Sequence, residues 1–77
     1  MTRTREEGMA KLGIVSVSSA TLYESKDGYG SRGSLYKGTR VEVTGDANSR
    51  FVQVRVKDGG LSGKVGYVRH ENLQIDR

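Results

Sequence analysis

The strongest fold signal in this sequence is the stretch GSLYKGTRVEV, residues 33–43. Leu35, Val41 and Val43 are spaced so that they point to one side of a strand pair, and the polar residues that alternate with them point to the other. The dipeptide Lys37-Gly38 supplies the turn between the two strands. The stretch therefore predicts a β-hairpin with one apolar face.

Three further segments have the same character. Residues 51–56 form a run rich in β-branched side chains, and residues 65–68 form a shorter one. Residues 14–19 read as the first strand, which continues or resumes after a kink at residues 20–23. Because strands that share one buried face form a stable unit where a lone hairpin does not, the sequence predicts a small all-β domain.

The connections between these strands carry their own signals. Residues 24–33 contain three glycines and no aliphatic side chain, which predicts an exposed loop. Residues 45–49 predict a hairpin connection, and Asp58-Gly59 predicts a tight primed turn, lengthened by the residues that follow. Residues 69–72 are compatible with one helical or 3₁₀ turn, after which Leu73 returns to cover one end of the core.

The N-terminal residues 1–13 are polar and charged, and we expect them to form a disordered arm or linker, with the folded domain at 14–77. They lack the continuous apolar run of a signal peptide, and the chain has no apolar stretch of membrane-spanning length. The expected compartment is therefore the cytoplasm, unless the chain is a piece of an exported protein.

Composition limits the possible functions. Seventy-seven residues make one domain with a small core, and the absence of cysteine excludes disulfides, thiolate metal sites and cysteine nucleophiles. The net charge is +4, and from Ile14 onward ten basic residues are interspersed with seven acidic ones. This mixture favours an ordinary solvated surface over the dense basic stripe of a nucleic-acid-binding domain.

No segment satisfies an enzymatic motif. Residues 59–64 read GGLSGK, but Asp58 stands where a phosphate-binding loop needs its first glycine, and Val65 stands where it needs serine or threonine. His70 is the only histidine, so a catalytic triad or a metal site would need companions that the sequence does not indicate. We therefore predict a protein without catalytic residues, metal ligands or cofactors.

Three motifs, taken in order, resemble the bacterial SH3-like domain family. They are the pattern of residues 33–43, the aromatic residue Phe51 three positions before Val54, and Gly66-Tyr67-Val68 with Leu73 five positions later. The resemblance spans about residues 15–73. It implies a small, strongly bent SH3-like barrel of five to six strands.

The resemblance also implies a role. Members of this family are usually non-catalytic targeting or binding modules for cell-wall peptidoglycan peptides or for protein partners. Phe51 and Tyr67 occupy positions that are tryptophan in the family, and they keep a ring while losing the indole N–H donor. The arginine and proline of another family motif are absent from residues 21–26. The identity of the ligand therefore stays open.

Aromatic side chains are the best candidates for a binding surface, because tyrosine rings offer a wide, rigid contact area with a polar tip. Tyr23 and Tyr36 are out of phase with the apolar residues beside them, which indicates that they face outward or lie at a rim. These rings either form a groove or cover the barrel ends. The candidate ligand-binding residues are Tyr23, Tyr29, Arg32, Tyr36, Phe51 and Tyr67.

Two other functions remain as alternatives. Outward aromatics combined with positive charge can bind single-stranded nucleic acid by stacking and phosphate contacts. Alternatively, the chain is a structural or assembly module that pairs its exposed strand edges with a host protein or another copy. The expected oligomeric state is a monomer or a weak homodimer.

Overall fold

The computed structural model describes residues 11–75 and contains seven strands. The strands are β1 (Lys11–Val15), β2 (Ser19–Tyr23), β3 (Ser31–Tyr36), β4 (Arg40–Val43), β5 (Phe51–Val56), β6 (Val65–Arg69) and β7 (Leu73–Ile75). They form one strongly curled antiparallel sheet in the order β3-β2-β6-β5-β4-β1-β7. The predicted all-β, strongly bent architecture is confirmed, although the strands number seven rather than five or six.

The predicted boundary of the N-terminal arm differs from the structure at one end. Residues 1–10 lie outside the described residues, but residues 11–13 belong to β1 and pair with β4. The first strand therefore begins three residues before the expected start at Ile14. The sequence pattern did not indicate this extension, because the inward position is occupied by Gly13. The apolar residues Leu12 and Ile14 lie on the outer face and are 49% and 38% exposed.

A single core fills the concave side of the sheet. The inward-facing aliphatics of the predicted strands lie in it, since none of the following is more than 6% exposed: Leu35, Val41, Val43, Val54 and Val68. Along β5 every second residue is buried, as the period of a strand demands. The buried core consists of Val15, Ala20, Leu22, Leu35, Val41, Val43, Val52, Val54, Val56, Val68 and Leu73.

The turn between β3 and β4 forms as predicted. The amide of Thr39 donates to the carbonyl of Tyr36 at 3.0 Å, and Gly38 takes a φ of +92° that glycine adopts without steric cost. The end of β1 also bonds to this turn, because Val15 exchanges hydrogen bonds of 2.9 Å with Gly38 and Thr39. The turn thus connects the hairpin to the first strand and helps to curl the sheet.

The connection between β5 and β6 differs from the predicted primed turn. Such a turn needs positive φ at both central residues, but no residue other than glycine has positive φ in the described part of the chain. Asp58 is instead held by Arg40, whose backbone amide donates to the carboxylate at 3.0 Å and whose guanidinium forms two further bonds. The loop follows this ion pair rather than the local preference of Asp-Gly.

The end of the chain follows the sequence-based expectation. A three-residue 3₁₀ turn spans His70–Asn72, and Leu73 then enters the core at 8% exposure. Within residues 11–75 no helix is long and apolar enough to cross a membrane.

Candidate functional site

Four side chains gather on the outer face of the sheet, where β2, β5 and β6 lie side by side. They alternate along their strands with the buried residues Leu22, Val52 and Val68, so burial of the latter directs them outward. Strand register brings them together, because β2 pairs with β6 at Tyr23 and Tyr67, and β5 pairs with β6 at Phe51 and Arg69. We call the four residues the aromatic cluster: Tyr23, Phe51, Tyr67 and Arg69.

Phe51 is the centre of the aromatic cluster. The ring of Tyr23 meets it edge-on, with centroids 5.5 Å apart and planes at 90°. The guanidinium carbon of Arg69 lies 5.6 Å from the Phe51 centroid, which is within range of a cation–π contact worth about 0.5–1 kcal/mol at an exposed position. Phe51 is therefore held on two sides while its ring remains only partly buried.

Arg69 is positioned from its other side by an acidic neighbour. Its Nη1 donates to Oε2 of Glu71 at 3.0 Å. The Glu71 carboxylate, followed by the Tyr23 hydroxyl, raises the pKa of Arg69 above its ordinary value. Arg69 is thus a permanent cation, and its guanidinium group is oriented by the Phe51 ring and the Glu71 carboxylate.

The β2–β3 loop covers one side of Phe51. Ser25 organises the loop, since its hydroxyl accepts from the amides of Asp27 and Tyr29 and its carbonyl accepts from the amide of Gly28. Gly28 has a φ of +84°, and a Cβ at this position would lie 2.7 Å from Cζ of Phe51. Glycine therefore permits both the turn and the close approach of the loop to the ring.

A surface cavity of about 760 Å³ opens next to Phe51. Its charged walls carry both signs, with Asp27 and Glu71 on the acidic side and Arg50 and Arg69 on the basic side. Within residues 11–75, Asp27 and Arg50 form no ion pair. The cavity consequently presents an aromatic surface together with one uncommitted carboxylate and one uncommitted guanidinium.

The six residues predicted from the sequence do not form one surface. Tyr23, Phe51 and Tyr67 come together, whereas Tyr29 is 74% exposed on the loop that borders them. Tyr36 lies at the far end of the β2–β3 ladder, opposite Ser19, whereas Tyr23 lies opposite Ser31.

Arg32 has an unusual place in the β2–β3 ladder. The register shifts between Leu22 and Tyr23, so that Leu22 faces Gly33 and Tyr23 faces Ser31. Arg32 is the extra residue of this β-bulge, and it is exposed. Arg32 therefore lies on the strand next to the one that carries Tyr23, but it is not part of the aromatic cluster.

The six residues predicted from the sequence do not include four charged residues near the aromatic cluster: Arg69, Arg50, Asp27 and Glu71. The available signal for Arg69 was its spacing of two from Tyr67, which puts both on the same face of a strand. The charged residues of the cavity lie in a loop, immediately before β5, at the end of β6 and in the 3₁₀ turn, and only the fold brings these positions together.

The side chain and the backbone of His70 both form hydrogen bonds with the β4–β5 connection. Its Nδ1 lies 2.9 Å from the carbonyl of Ala47, and because a carbonyl only accepts, Nδ1 carries the proton. The backbone amide of His70 also donates to the carbonyl of Arg50 at 2.7 Å. These two bonds tie the 3₁₀ turn to the β4–β5 connection. Among the described residues no group of three or more His, Cys, Asp or Glu is placed to hold a metal ion.

Comparison of the chain with protein-family models, with curated proteins and with solved structures found no match in any of the three.

Proposed function

We propose that this chain is a non-catalytic binding module that recognises a peptide through the aromatic cluster and the adjoining cavity. The observation that carries the proposal is the oriented, partly exposed ring of Phe51 beside a cavity whose Asp27 and Arg50 form no ion pair within residues 11–75. A ring that is already oriented loses little conformational entropy when a ligand packs on it.

The mixed charge of the cavity supports a peptide over a polyanion. A peptide with free amino and carboxyl groups can place its ammonium near Asp27 and its carboxylate near Arg50. A nucleic-acid backbone would instead bring repeated negative charges towards Asp27 and Glu71, which like-charge repulsion opposes.

The resemblance to bacterial SH3-like domains suggests the first ligand to test. Phe51 and Tyr67 occupy the family's aromatic positions, and both belong to the aromatic cluster. Family members often bind cell-wall peptides or protein partners, so a peptidoglycan stem peptide, which carries amino and carboxyl groups, is the appropriate probe.

The test is a chemical-shift titration of the ¹⁵N-labelled chain with three probes: a synthetic peptidoglycan stem peptide, an unrelated peptide of equal charge and a short oligothymidylate. We expect the stem peptide to shift the amides of residues 27–30, 50–51 and 67–71. Phe51→Leu keeps an apolar side chain but removes the ring, and we expect it to weaken binding about tenfold.

The matched control is Tyr36→Leu, which removes a ring at the far end of the β2–β3 ladder and should leave the affinity unchanged. Binding of the oligothymidylate alone, with an affinity that falls steeply with salt, would replace the proposal with single-stranded nucleic-acid recognition. Shifts confined to strand edges, together with a mass near twice 8.4 kDa, would replace it with assembly through the sheet.

A further inference from the structure

Among the described strands, β3 is one edge of the sheet, and its backbone has hydrogen-bonding groups that point away from its neighbour β2. The amide of Lys37 bonds to the carbonyl of Ser18, so the alternation of an antiparallel ladder turns the backbone of Leu35 towards β2 and that of Ser34 and Tyr36 away from it. The Tyr36 carbonyl is used in the turn. Among the described residues, no backbone group bonds the amides of Ser34 and Tyr36 or the carbonyl of Ser34.

An apolar cavity of about 320 Å³ lies beside this edge, between β3 and the β5–β6 loop. Leu35, Tyr36 and Leu61 are among its lining residues, and Tyr36 is 67% exposed. Leu61 packs so closely on the strand that a Cβ at Gly33 would lie 2.8 Å from its Cδ1. The cavity therefore has an apolar floor next to unpaired backbone donors, which is the arrangement that an added strand needs.

The charge around this edge is positive. Arg32 and Lys37 stand at its two ends, both are exposed, and neither forms an ion pair within residues 11–75. Among the described residues that line the cavity, Asp58 is the only acidic one, and the guanidinium of Arg40 donates two hydrogen bonds of 2.9 and 3.0 Å to its carboxylate. The charge thus complements an acidic partner.

The same charges oppose pairing with a second copy of the chain. If two β3 strands paired antiparallel about Ser34, Arg32 of one copy would lie opposite Tyr36 of the other, and the adjacent Lys37 side chain would point to the opposite face. Such a pair would bring two Arg32 and two Lys37 side chains to one junction with no carboxylate from either β3 strand, whereas an acidic segment would supply carboxylates. The β3 edge is therefore better suited to a different strand than to its own copy.

We propose that the β3 edge is a second interaction surface, separate from the aromatic cluster, and that it accepts an extended acidic segment of a partner protein as an added strand. The backbone of the segment pairs with Ser34 and Tyr36, an apolar side chain enters the cavity over Leu61, and acidic side chains approach Arg32 and Lys37. The two basic residues are five positions apart, about 17 Å along a strand.

The probe is an acetylated and amidated hexapeptide with glutamate at its first and sixth positions and alternating threonine and valine between them. Its control has lysine in place of both glutamates. We expect the acidic peptide to shift the amides of Ser34 and Tyr36 and to slow their hydrogen exchange, and we expect the lysine peptide to bind about tenfold more weakly.

Two sets of variants separate backbone pairing from charge. Ser34→Pro removes an outward donor, which an edge strand tolerates, and should abolish binding, whereas Ser34→Ala keeps the donor and should retain it. If Ser34→Pro does not fold, the double reversal R32E/K37E carries the test, because it should exchange the preference so that the lysine peptide binds better.

Several results would overturn the proposal. One is absence of binding by the acidic peptide, with R32E/K37E forming a dimer, which would mean that the basic residues only prevent self-pairing. Equal binding of both peptides would remove the charge argument. Shifts centred on Phe51 and Arg69 would assign the peptide to the aromatic cluster instead.

Discussion

At the scale of single residues, two glycines stand where any side chain would collide with a neighbouring strand or ring. Gly66 of β6 faces inward, and a Cβ there would lie 2.7 Å from the carbonyl oxygen of Tyr23 and 2.8 Å from Cγ of Leu22. The glycine before Tyr67 is thus required by the approach of β2 to β6. Gly28 plays the corresponding part for the loop above Phe51.

This contact leads to a prediction for Gly66→Ala. The added methyl group would collide with a backbone atom that cannot move without disturbing the β2–β6 pairing, so we expect a loss of about 1–3 kcal/mol in the free energy of unfolding. Urea unfolding followed by circular dichroism measures it. Gly60→Ala is the control, because a Cβ at Gly60 meets no atom within 4 Å. An unchanged stability for Gly66→Ala would contradict the close approach of β2 to β6.

The ion pair between Arg40 and Asp58 makes stability depend on pH. Hydrogen bonds from Arg40 lower the pKa of Asp58 from 3.8 to about 2 in the folded chain. Because the folded-state pKa lies below the unfolded one, the ion pair contributes fully above about pH 4, and this contribution is lost as the pH falls through about 2. We expect Asp58→Asn to lack the part of the acid-induced destabilisation that falls in this window.

The measurement is the urea midpoint of the parent chain and of Asp58→Asn at intervals between pH 2 and 5. Asp27→Asn removes the same charge without breaking an ion pair of the described residues, so it controls for net charge. Parallel pH profiles for the parent chain and Asp58→Asn would show that the ion pair does not contribute to folding.

At the scale of elements, β5 contributes residues to the core on one face of the sheet and to the aromatic cluster on the other. It lies between β4 and β6, and its inward residues Val52, Val54 and Val56 are at most 1% exposed. Its outward residue Phe51 carries the aromatic cluster. Packing of the inward face therefore fixes the position from which the candidate site is presented.

We predict that Val54→Ala lowers the free energy of unfolding by about 2 kcal/mol, because two buried methyl groups are lost and a cavity remains. The exposed neighbour Arg55→Ala is the matched control and should change stability by less than about 0.5 kcal/mol. Chemical denaturation of both variants measures the difference. Equal effects of the two substitutions would contradict the assignment of the inward face.

At the scale of the whole molecule, one apolar cluster receives residues from every strand. All seven strands also belong to one hydrogen-bonded sheet, so no strand has a core of its own. We therefore expect residues 11–75 to unfold as a single cooperative unit.

This connectivity predicts two-state unfolding. Thermal transitions followed by far-ultraviolet circular dichroism and by tyrosine fluorescence should have the same midpoint, because losing any strand exposes the shared core. Tyr23 and Tyr67 report on the outer face, and circular dichroism reports on the ladder. An earlier fluorescence transition would indicate that the outer face opens before the core.

The sequence by itself determined the inward face of this protein. Leu35, Val41, Val43 and Val54 alternate with polar residues, and a period of two is a local property that burial in a sheet makes unambiguous. The turn at Lys37-Gly38 and the 3₁₀ turn before Leu73 were predictable for the same reason, since each depends on a few adjacent residues. The outward direction of Tyr23 followed from its phase.

Only the tertiary structure decided which outward residues meet. The contact of Phe51 with Arg69 depends on the register of β5 and β6, and the ion pair of Arg40 with Asp58 joins residues 18 positions apart. The tertiary structure also places Tyr36 and Tyr23 at opposite ends of the β2–β3 ladder. Outward side chains carry no burial pattern that fixes their neighbours, so strand order and register, which arise from packing of the whole core, select them.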